Sequence, residues 1–279
     1  NTPVLLINAR ISDRAFNRYR QLKFFFKPVL GELSGVMAQS KIDAERFAAL
    51  GVSNEFLSRC GNLKFDMPAI AKATAIPDKI KSLWGQNKTV LMLASTHENE
   101  EEQLLKRFAK LQSIIADLVV LIAPRHPERF QTVYRLSQSL GLNTVLRSQY
   151  QQICPNTQVL MIDTLGELNQ FYQISDYAFV GGSLVPVGGH NVLEPIAANV
   201  PVFCGPYIQN IRSICKDLLK KQAICITQDA DSLIKAMSKM YQNQIQRDKQ
   251  VGNAADFLRS SHGSLQCYLQ KIECFLRKS

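Results

Sequence analysis

From Lys88 onward, short runs of apolar residues alternate with longer segments in which apolar and polar residues are mixed. The apolar runs are continuous, as expected for parallel strands that are covered on both faces. They lie at 89–94, 118–123, 144–147, 159–162, 177–180, 202–204 and 223–226. The mixed segments predict helices, at 99–111, 127–141, 165–171, 194–198, 210–221, 230–244 and 246–275. Strands that alternate with helices form parallel sheets, so we predict an α/β fold with a Rossmann-like domain.

The first 66 residues carry a shorter form of the same pattern. Three strand-like runs lie at 4–7, 35–40 and 56–60. Between the second and the third, a helix is predicted at 43–51, where Gly51 ends it. The segment 10–27 is rich in arginine and aromatic residues, and the later segment with Pro68 and Pro77 is typical of a linker. The expected organisation is a first domain at 1–66, a linker at 67–86, a second domain at 87–245 and a C-terminal helix at 246–279 that packs back toward the first domain.

Candidate binding residues follow the predicted strands of the second domain, at the carboxyl ends where open α/β sheets bind ligands. Thr96 and His97 follow the first of these strands. This turn either caps the next helix, whose acidic first turn complements the helix dipole, or faces a ligand. Arg125 follows the second strand between Pro124 and Pro127. Its guanidinium is suited to a phosphate or a carboxylate.

The strongest candidate is the segment 181–194, in which four glycines precede a predicted helix. Backbone N–H groups of such a loop, together with the helix N-terminus, are expected to cradle a phosphate, and Ser183 is a further contact. Glu194, in the first turn of the helix, is placed to accept hydrogen bonds from ribose hydroxyls. Near Gly166, exposed main-chain groups could contact a flat base, or the segment could simply cap a helix.

The net charge of +10 is concentrated at the two ends of the chain. Residues 1–35 hold six Lys and Arg against two acids, residues 36–210 hold fifteen of each, and residues 211–279 hold twelve against six. Basic ends either solubilise a protein or attract a polyanion, such as an anionic membrane or a phosphorylated lipid. The chain has no interleaved basic and aromatic RNA-binding motif, so we expect no nucleic-acid partner.

The cysteines and histidines do not indicate a metal site. Seven cysteines form no CxxC pair, and several lie in apolar runs, so we expect small buried side chains rather than disulfides. His97, His126 and His190 all follow strands, but their spacing matches no zinc site, and we expect no metal. No apolar stretch approaches the roughly 20 residues that a transmembrane helix needs.

Several short motifs, taken in order, resemble the Kdo (3-deoxy-octulosonate) transferase family of GT-B glycosyltransferases. Each motif is modest alone, whereas the ordered set spans nearly the whole chain. The matching segments are Asn8-Ala9-Arg10, Ala38-Gln39-Ser40, Gly61-Asn62-Leu63-Lys64, Ser95-Thr96-His97-Glu98, Pro124-Arg125-His126-Pro127-Glu128-Arg129-Phe130, Gly166-Glu167-Leu168, Gly181-Gly182-Ser183-Leu184 and Gly188-Gly189-His190-Asn191-Val192-Leu193-Glu194-Pro195.

The resemblance implies an inverting transfer of Kdo from CMP-Kdo to a lipid A precursor, at the cytoplasmic face of the bacterial inner membrane and without a cofactor. It makes 1–66 the remnant of the acceptor-binding domain and 87–245 the donor-binding domain. Arg125 then becomes a candidate to stabilise charge on the CMP leaving group. Arg10 and Arg14 become candidates to contact the acceptor or the anionic membrane surface. The implied CMP-binding residues are Pro124, Arg125, Gly166, Glu167, Leu168, Ser183, Asn191, Val192, Leu193 and Glu194.

One residue of the family's catalytic set, a glutamate general base early in the N-terminal domain, has no match in this chain. We therefore expect that further N-terminal sequence precedes Asn1 and that the chain alone is inactive. Two alternatives stay open. One is another GT-B enzyme or an epimerase that uses a UDP-sugar, which preference for UMP over CMP would reveal. The other is a non-catalytic nucleotide-binding module, which would transfer no sugar even with a complete N-terminal domain.

Overall fold

A computed structural model describes residues 2–66, 75–85 and 87–277 of the protein. The chain divides into two compact units, Asn1–Pro68 with Arg259–Ser279 and Ala69–Leu258. Both units are built on parallel sheets flanked by helices, which confirms the predicted α/β fold class. None of the described helices is both long and apolar enough to cross a bilayer.

The first unit has a three-stranded parallel sheet. Its strands are β1 (Leu5–Ala9), β2 (Gly35–Ala38) and β3 (Leu57–Arg59), and its helices are α1 (Asp13–Gln21), α2 (Lys23–Gly31), α3 (Lys41–Leu50) and α13 (Ser264–Leu276). The strand order is β1-β2-β3. Val36 of β2 packs with Phe47 and Leu50 of α3 on one face of the sheet. Met37 packs with Tyr268 of α13 on the other face, so successive β2 residues serve opposite layers.

Helices α1 and α2 were not predicted from the sequence. Neither has a fully buried residue, and only Ala15 and Phe16 of α1 and Leu30 of α2 pack in part against the core of the first unit, so the apolar face that would indicate a helix is small. Helix α1 begins at a recognisable cap, because the Ser12 side chain accepts a hydrogen bond from the Ala15 N–H at 3.2 Å. The two helices leave Phe24 and Phe25 with exposed fractions of 79% and 61%.

The expectation that the chain forms no disulfide is wrong. Cys60, which follows β3, is bonded to Cys267 of α13, and 207 residues separate the two cysteines along the chain. A spacing motif in the sequence cannot predict a disulfide between residues that are so far apart along the chain. The prediction of buried side chains holds for Cys204 and Cys215, whereas Cys154 is exposed.

The second unit has a seven-stranded, all-parallel sheet. Its strands are β4 (Thr89–Thr96), β5 (Leu118–Pro124), β6 (Thr144–Leu146), β7 (Val159–Met161), β8 (Tyr177–Val180), β9 (Val202–Cys204) and β10 (Cys225–Ile226). Its helices are α4 (Ala75–Trp84), α5 (Glu100–Leu105), α6 (Phe108–Gln112), α7 (Phe130–Ser139), α8 (Leu168–Tyr172), α9 (Leu193–Ala197), α10 (Arg212–Lys220), α11 (Ala230–Gln242) and α12 (Gln244–Ser261). Leu91 and Leu93 of β4 join the core on one face, and Val90 and Met92 join the core on the other.

Three of the predicted boundaries differ from the structure. Of the expected linker, residues 67–74 and 86 lie outside the described residues, but α4 is a helix that buries Ile80 and Trp84. Their spacing of four residues was the helical signal, and Pro77 near the helix start does not oppose it. The expected helix at 99–111 is divided into α5 and α6. The expected helix at 246–275 is interrupted at Gly263, whose φ of 100° is left-handed.

Candidate functional site

The strand order β10-β9-β8-β4-β5-β7-β6 creates a crevice at one end of the second unit's sheet. From β4 the chain moves outward to β5 on one side, whereas β8 lies on the other side and continues to β9. Such a reversal of strand order is the place where open α/β sheets bind ligands. The turns after β4, β5 and β8 meet there, and they contain most of the predicted site residues.

A buried carboxylate organises the glycine-rich loop after β8. Glu100, the first residue of α5, is fully buried. One of its oxygens accepts hydrogen bonds from the Ser183 and Leu184 N–H groups at 2.9 and 2.8 Å. The other accepts from the Gly182 and His97 N–H groups at 2.7 and 2.9 Å. Burial raises the pKa of Glu100, while these four donors favour the ionised form that they surround.

The predicted phosphate cradle is therefore wrong for the first part of the loop. The N–H groups of Gly182, Ser183 and Leu184 donate to Glu100, so they are not available to a ligand. The Ser183 side chain is buried, and its hydroxyl donates to the Val180 carbonyl at 2.5 Å and accepts from the Gly205 N–H at 2.9 Å. This serine thus joins the strand ends to one another rather than facing the crevice.

The acidic start of α5 also differs from its expected role. Glu100 and Glu101 were interpreted as charges that complement the helix dipole, whereas the structure buries both side chains and gives each of them specific hydrogen-bond donors. Glu101 accepts a hydrogen bond from the Arg129 guanidinium at 3.0 Å, which ties α5 to the turn after β5. Of the three acids, Glu102 is on the outside and pairs with Lys106 at 2.5 Å.

Three histidines meet at the centre of the crevice. The Nε2 atoms of His97 and His190 are 2.7 Å apart, and the two rings lie edge to edge and nearly coplanar, with an interplanar angle of 5° and 5.0 Å between the ring centroids. The His126 ring meets the His97 ring edge-on, with 5.3 Å between the ring centroids. Burial, and then the charges of His126, Arg129 and Arg125, lower the pKa of His97. Burial, and then the charges of His97, Arg125 and His126, lower the pKa of His190 to about 4.

Arg125 and Glu194 lie at the same end of the sheet. The Arg125 N–H donates to the Thr96 carbonyl at 2.9 Å, which fixes the turn, and the side chain is exposed. Among the residues that the structure describes, none forms an ion pair with this guanidinium. Burial raises the pKa of Glu194, and the Asn191 amide and Arg125 oppose that shift. Asn191 donates to Glu194 at 3.0 Å and accepts from the Leu193 N–H at 3.1 Å.

Three other predicted site residues have buried side chains. Val192 and Leu193 belong to the core of the second unit, and Pro124 ends the buried strand β5. Only their main-chain groups are placed to meet a ligand. The predicted contacts of this segment therefore depend on Asn191, Glu194 and the backbone between them.

The loop that follows β7 is held by the segment 147–152. Arg147 donates to Glu167 at 2.7 Å, and Glu167 also accepts a hydrogen bond from the Thr164 hydroxyl. Gly166 is exposed with a φ of 79°, and an added Cβ there would touch nothing within 4 Å. Leu168 begins α8 and is half-buried. Because the Glu167 carboxylate is already bonded, this loop offers a ligand mainly the backbone around Gly166.

The remaining predicted site residues, Arg10 and Arg14, are exposed in the first unit. Sequence reasoning did not identify Glu100, Glu101 or Arg129 as parts of the site. The sequence feature that could have identified the two glutamates was the run of acids that follows His97 directly after a predicted strand. Among the described residues, no group of three or more His, Cys, Asp and Glu side chains is arranged to hold a metal ion.

Two family matches cover most of the chain. Residues 1–67 match the 3-deoxy-D-manno-octulosonic-acid transferases (kdotransferases), and residues 74–257 match the family described as glycosyl transferases group 1. A curated 3-deoxy-D-manno-octulosonic acid transferase of Haemophilus influenzae is 35% identical over all of this chain. The chain spans 66% of that relative's length, and 39% and 58% of the lengths of two others.

Solved structures show the same relationship. The C-terminal CMP-Kdo binding domain of WaaA from Acinetobacter baumannii is 37% identical, with a TM-score of 0.61, over 66% of this chain and 98% of that domain. MnaA of S. aureus, solved with UDP, has a TM-score of 0.60 over 99% of this chain and 70% of its own. Its identity is 15%, so it shows only the shared fold.

Proposed function

Because the chain belongs to the glycosyl transferases group 1, we propose that its second unit binds CMP-Kdo for the transfer of Kdo to a lipid A precursor. The family matches and relatives confirm the resemblance to Kdo transferases that the ordered motifs indicate. One observation carries the proposal: Arg125, Asn191 and Glu194 converge where the strand order reverses, in a unit that resembles a CMP-Kdo binding domain at 37% identity.

In this proposal, Arg125 binds the phosphate of the donor. Transfer breaks the bond between the sugar and the phosphate oxygen, so negative charge grows on CMP as it leaves. The backbone from which this side chain extends is held by the hydrogen bond from the Arg125 N–H to the Thr96 carbonyl, and the exposed guanidinium can stabilise that charge. Glu194, oriented by Asn191, accepts hydrogen bonds from the ribose hydroxyls. The backbone around Gly166 contacts the base, and the main chain of 191–194 completes the donor site.

We expect this chain to bind CMP more tightly than UMP, and Arg125→Ala to weaken CMP binding about tenfold to a hundredfold. The reason is that one charge-assisted contact to the phosphate is lost. Glu194→Ala should also weaken binding, because the ribose loses its acceptor. Isothermal calorimetry with both nucleotides measures these effects. Arg135→Ala, at an exposed position on α7, is the matched control and should change nothing.

Tighter binding of UMP would instead favour a UDP-sugar enzyme of the same fold. Undetectable binding of either nucleotide by a folded chain would contradict the proposed donor site. Retention of full CMP affinity in both Arg125→Ala and Glu194→Ala would place the nucleotide elsewhere.

We also propose that the first unit contacts the anionic surface of the inner membrane, at its cytoplasmic face, through α1 and α2. These helices, together with the segment just before α1, expose six cations, which are Arg10, Arg14, Arg18, Arg20, Lys23 and Lys27. Beside the cations, Phe24 and Phe25 are 79% and 61% exposed. Aromatic rings that enter the headgroup region, next to cations that attract anionic lipids, are the two contributions that membrane surfaces recognise.

Replacing both Phe24 and Phe25 with serine should lower binding to anionic vesicles by about tenfold or more, because apolar area no longer enters the bilayer. Sedimentation with phosphatidylglycerol-containing vesicles measures the partition coefficient, and neutral vesicles test the role of charge. Ile245→Ser is the matched control, since Ile245 is 83% exposed but lies on α12 of the second unit. Equal binding of the wild type and the double variant would contradict the membrane proposal.

A further inference from the structure

The coplanar pair of His97 and His190 is a hydrogen-bonded unit that can accept one additional proton. At 2.7 Å, one Nε2 must donate and the other must accept. Two protonated Nε2 atoms facing each other would repel, so both rings cannot be cations while the bond exists. A single added proton, however, converts the pair into an imidazolium and an imidazole that share the same hydrogen bond.

The surroundings keep that proton away when the crevice holds no ligand. From the turn after β5, the charges of Arg125, His126 and Arg129 act on the pair. The carboxylates nearby are already engaged: Glu100 accepts from the His97 N–H, and Glu194 accepts from Asn191. Burial and these cations lower the pKa of both rings, so the pair is neutral near pH 7.

An anion beside Arg125 would reverse this balance. Arg125 interacts electrostatically with both rings and with Glu194, and Asn191 directly follows His190. A phosphate held between Arg125 and the 191–194 segment therefore lies next to the pair. Its negative charge cancels the cationic field and favours the imidazolium form.

We propose that the His97–His190 pair takes up one proton from solvent when a nucleotide phosphate binds beside Arg125, and that the resulting imidazolium becomes a second cation of the donor site. This proposal rests on the proposed donor site. It gives the histidines a role in holding the charged leaving group, in addition to that of Arg125.

The sign of the pH dependence follows from the pair's lowered pKa. If the phosphate returns that pKa to its ordinary value of about 6.5, the bound state holds a proton at pH 6 that the free state lacks. Affinity should then rise about tenfold as the pH falls from 7.5 to 5.5. The gain levels off once the pH is low enough for the free pair to take up the proton as well.

The test is calorimetry at pH 6 in two buffers of different ionisation enthalpy, with the methyl ester of CMP as the ligand. CMP itself is unsuitable because its phosphate monoester titrates near pH 6, whereas the ester's phosphodiester does not. The difference between the two apparent enthalpies gives the number of protons exchanged. We expect uptake of roughly 0.5 to 1 proton per site. Cytidine, which lacks the phosphate, should bind without uptake.

Variants assign the proton to the pair. The double variant His97→Gln/His190→Gln should still bind the ester but take up no proton, and its affinity should not rise at pH 5.5. His262→Gln, in the first unit, should behave as the wild type. Ester binding without uptake, uptake that persists in the folded double variant, or equal uptake with cytidine would each overturn the proposal while leaving the donor site intact. Absence of any binding would overturn the donor site and this proposal together.

Discussion

Glu100→Gln is expected to destabilise the second unit by about 3–5 kcal/mol, although the two side chains have nearly the same shape. Each oxygen of the Glu100 carboxylate accepts two backbone N–H groups, and it has no donor to satisfy. A glutamine must place its NH₂ group where one of those oxygens lies, so two N–H groups lose their acceptor and face another donor. Urea unfolding measures the free energy, and hydrogen exchange locates the loss at the amides of 182–184.

The control is Glu102→Gln, two residues along the same helix. Glu102 is partly exposed and pairs only with Lys106, so its neutralisation should change stability by less than about 0.5 kcal/mol. Equal stability of the Glu100 and Glu102 variants, with unchanged exchange at the loop amides, would mean that the buried carboxylate does not hold the glycine-rich loop.

Gly205→Ala is expected to cost about 3 kcal/mol and to weaken CMP binding, because there is no space for a methyl group at this position. A Cβ on Gly205 would lie 2.2 Å from the Ser183 carbonyl oxygen and 2.6 Å from the Leu184 nitrogen. These are backbone atoms, which cannot rotate away as a side chain would. The loop after β8 must then move as a whole, and Asn191 and Glu194 move with it. Urea unfolding and nucleotide calorimetry measure the two effects.

Gly252→Ala, in contrast to Gly205→Ala, is expected to stabilise the protein. Gly252 lies within α12, and a Cβ there would meet nothing within 4 Å. The substitution should stabilise the helix by about 0.5–1 kcal/mol, as alanine usually does in a helix interior. If both glycine variants shift stability in the same direction, close packing at Gly205 is not what decides its effect.

Continuous apolar runs between polar turns were sufficient to locate strands. The predicted bounds 177–180 and 202–204 coincide with β8 and β9, since each strand is buried on both faces and lies between residues that interrupt the pattern. The same reasoning does not locate α1 and α2, because neither helix has a fully buried residue and the half-buried Ala15 and Phe16 of α1 lie among exposed arginines. Local pattern therefore predicts the covered parts of this fold better than its surface.

The site was predictable only where position in the sheet determines it. From the sequence alone, the tendency of open α/β sheets to bind ligands at the carboxyl ends of their strands places His97, Arg125 and Asn191 at one end of the sheet. It could not show that Glu100 turns inward, because three of the four N–H groups that donate to this carboxylate lie more than 80 residues away along the chain. The three adjacent glutamates, 100 to 102, cannot be distinguished in the sequence. In the helix, Glu100 and Glu101 are buried, whereas Glu102 lies on the solvent-facing side. Tertiary pairing, rather than residue type, divides their roles.

The carboxylate of Glu100 also bears on the entropy of ligand binding. A glycine-rich loop that is flexible without its phosphate must become ordered when the phosphate binds, and the conformational entropy lost in that ordering reduces the affinity. In this protein the loop encloses an anion that is covalently part of the chain and therefore never dissociates. We accordingly expect the loop to be as rigid in the empty protein as in the liganded one, so that a nucleotide meets a surface already shaped for it.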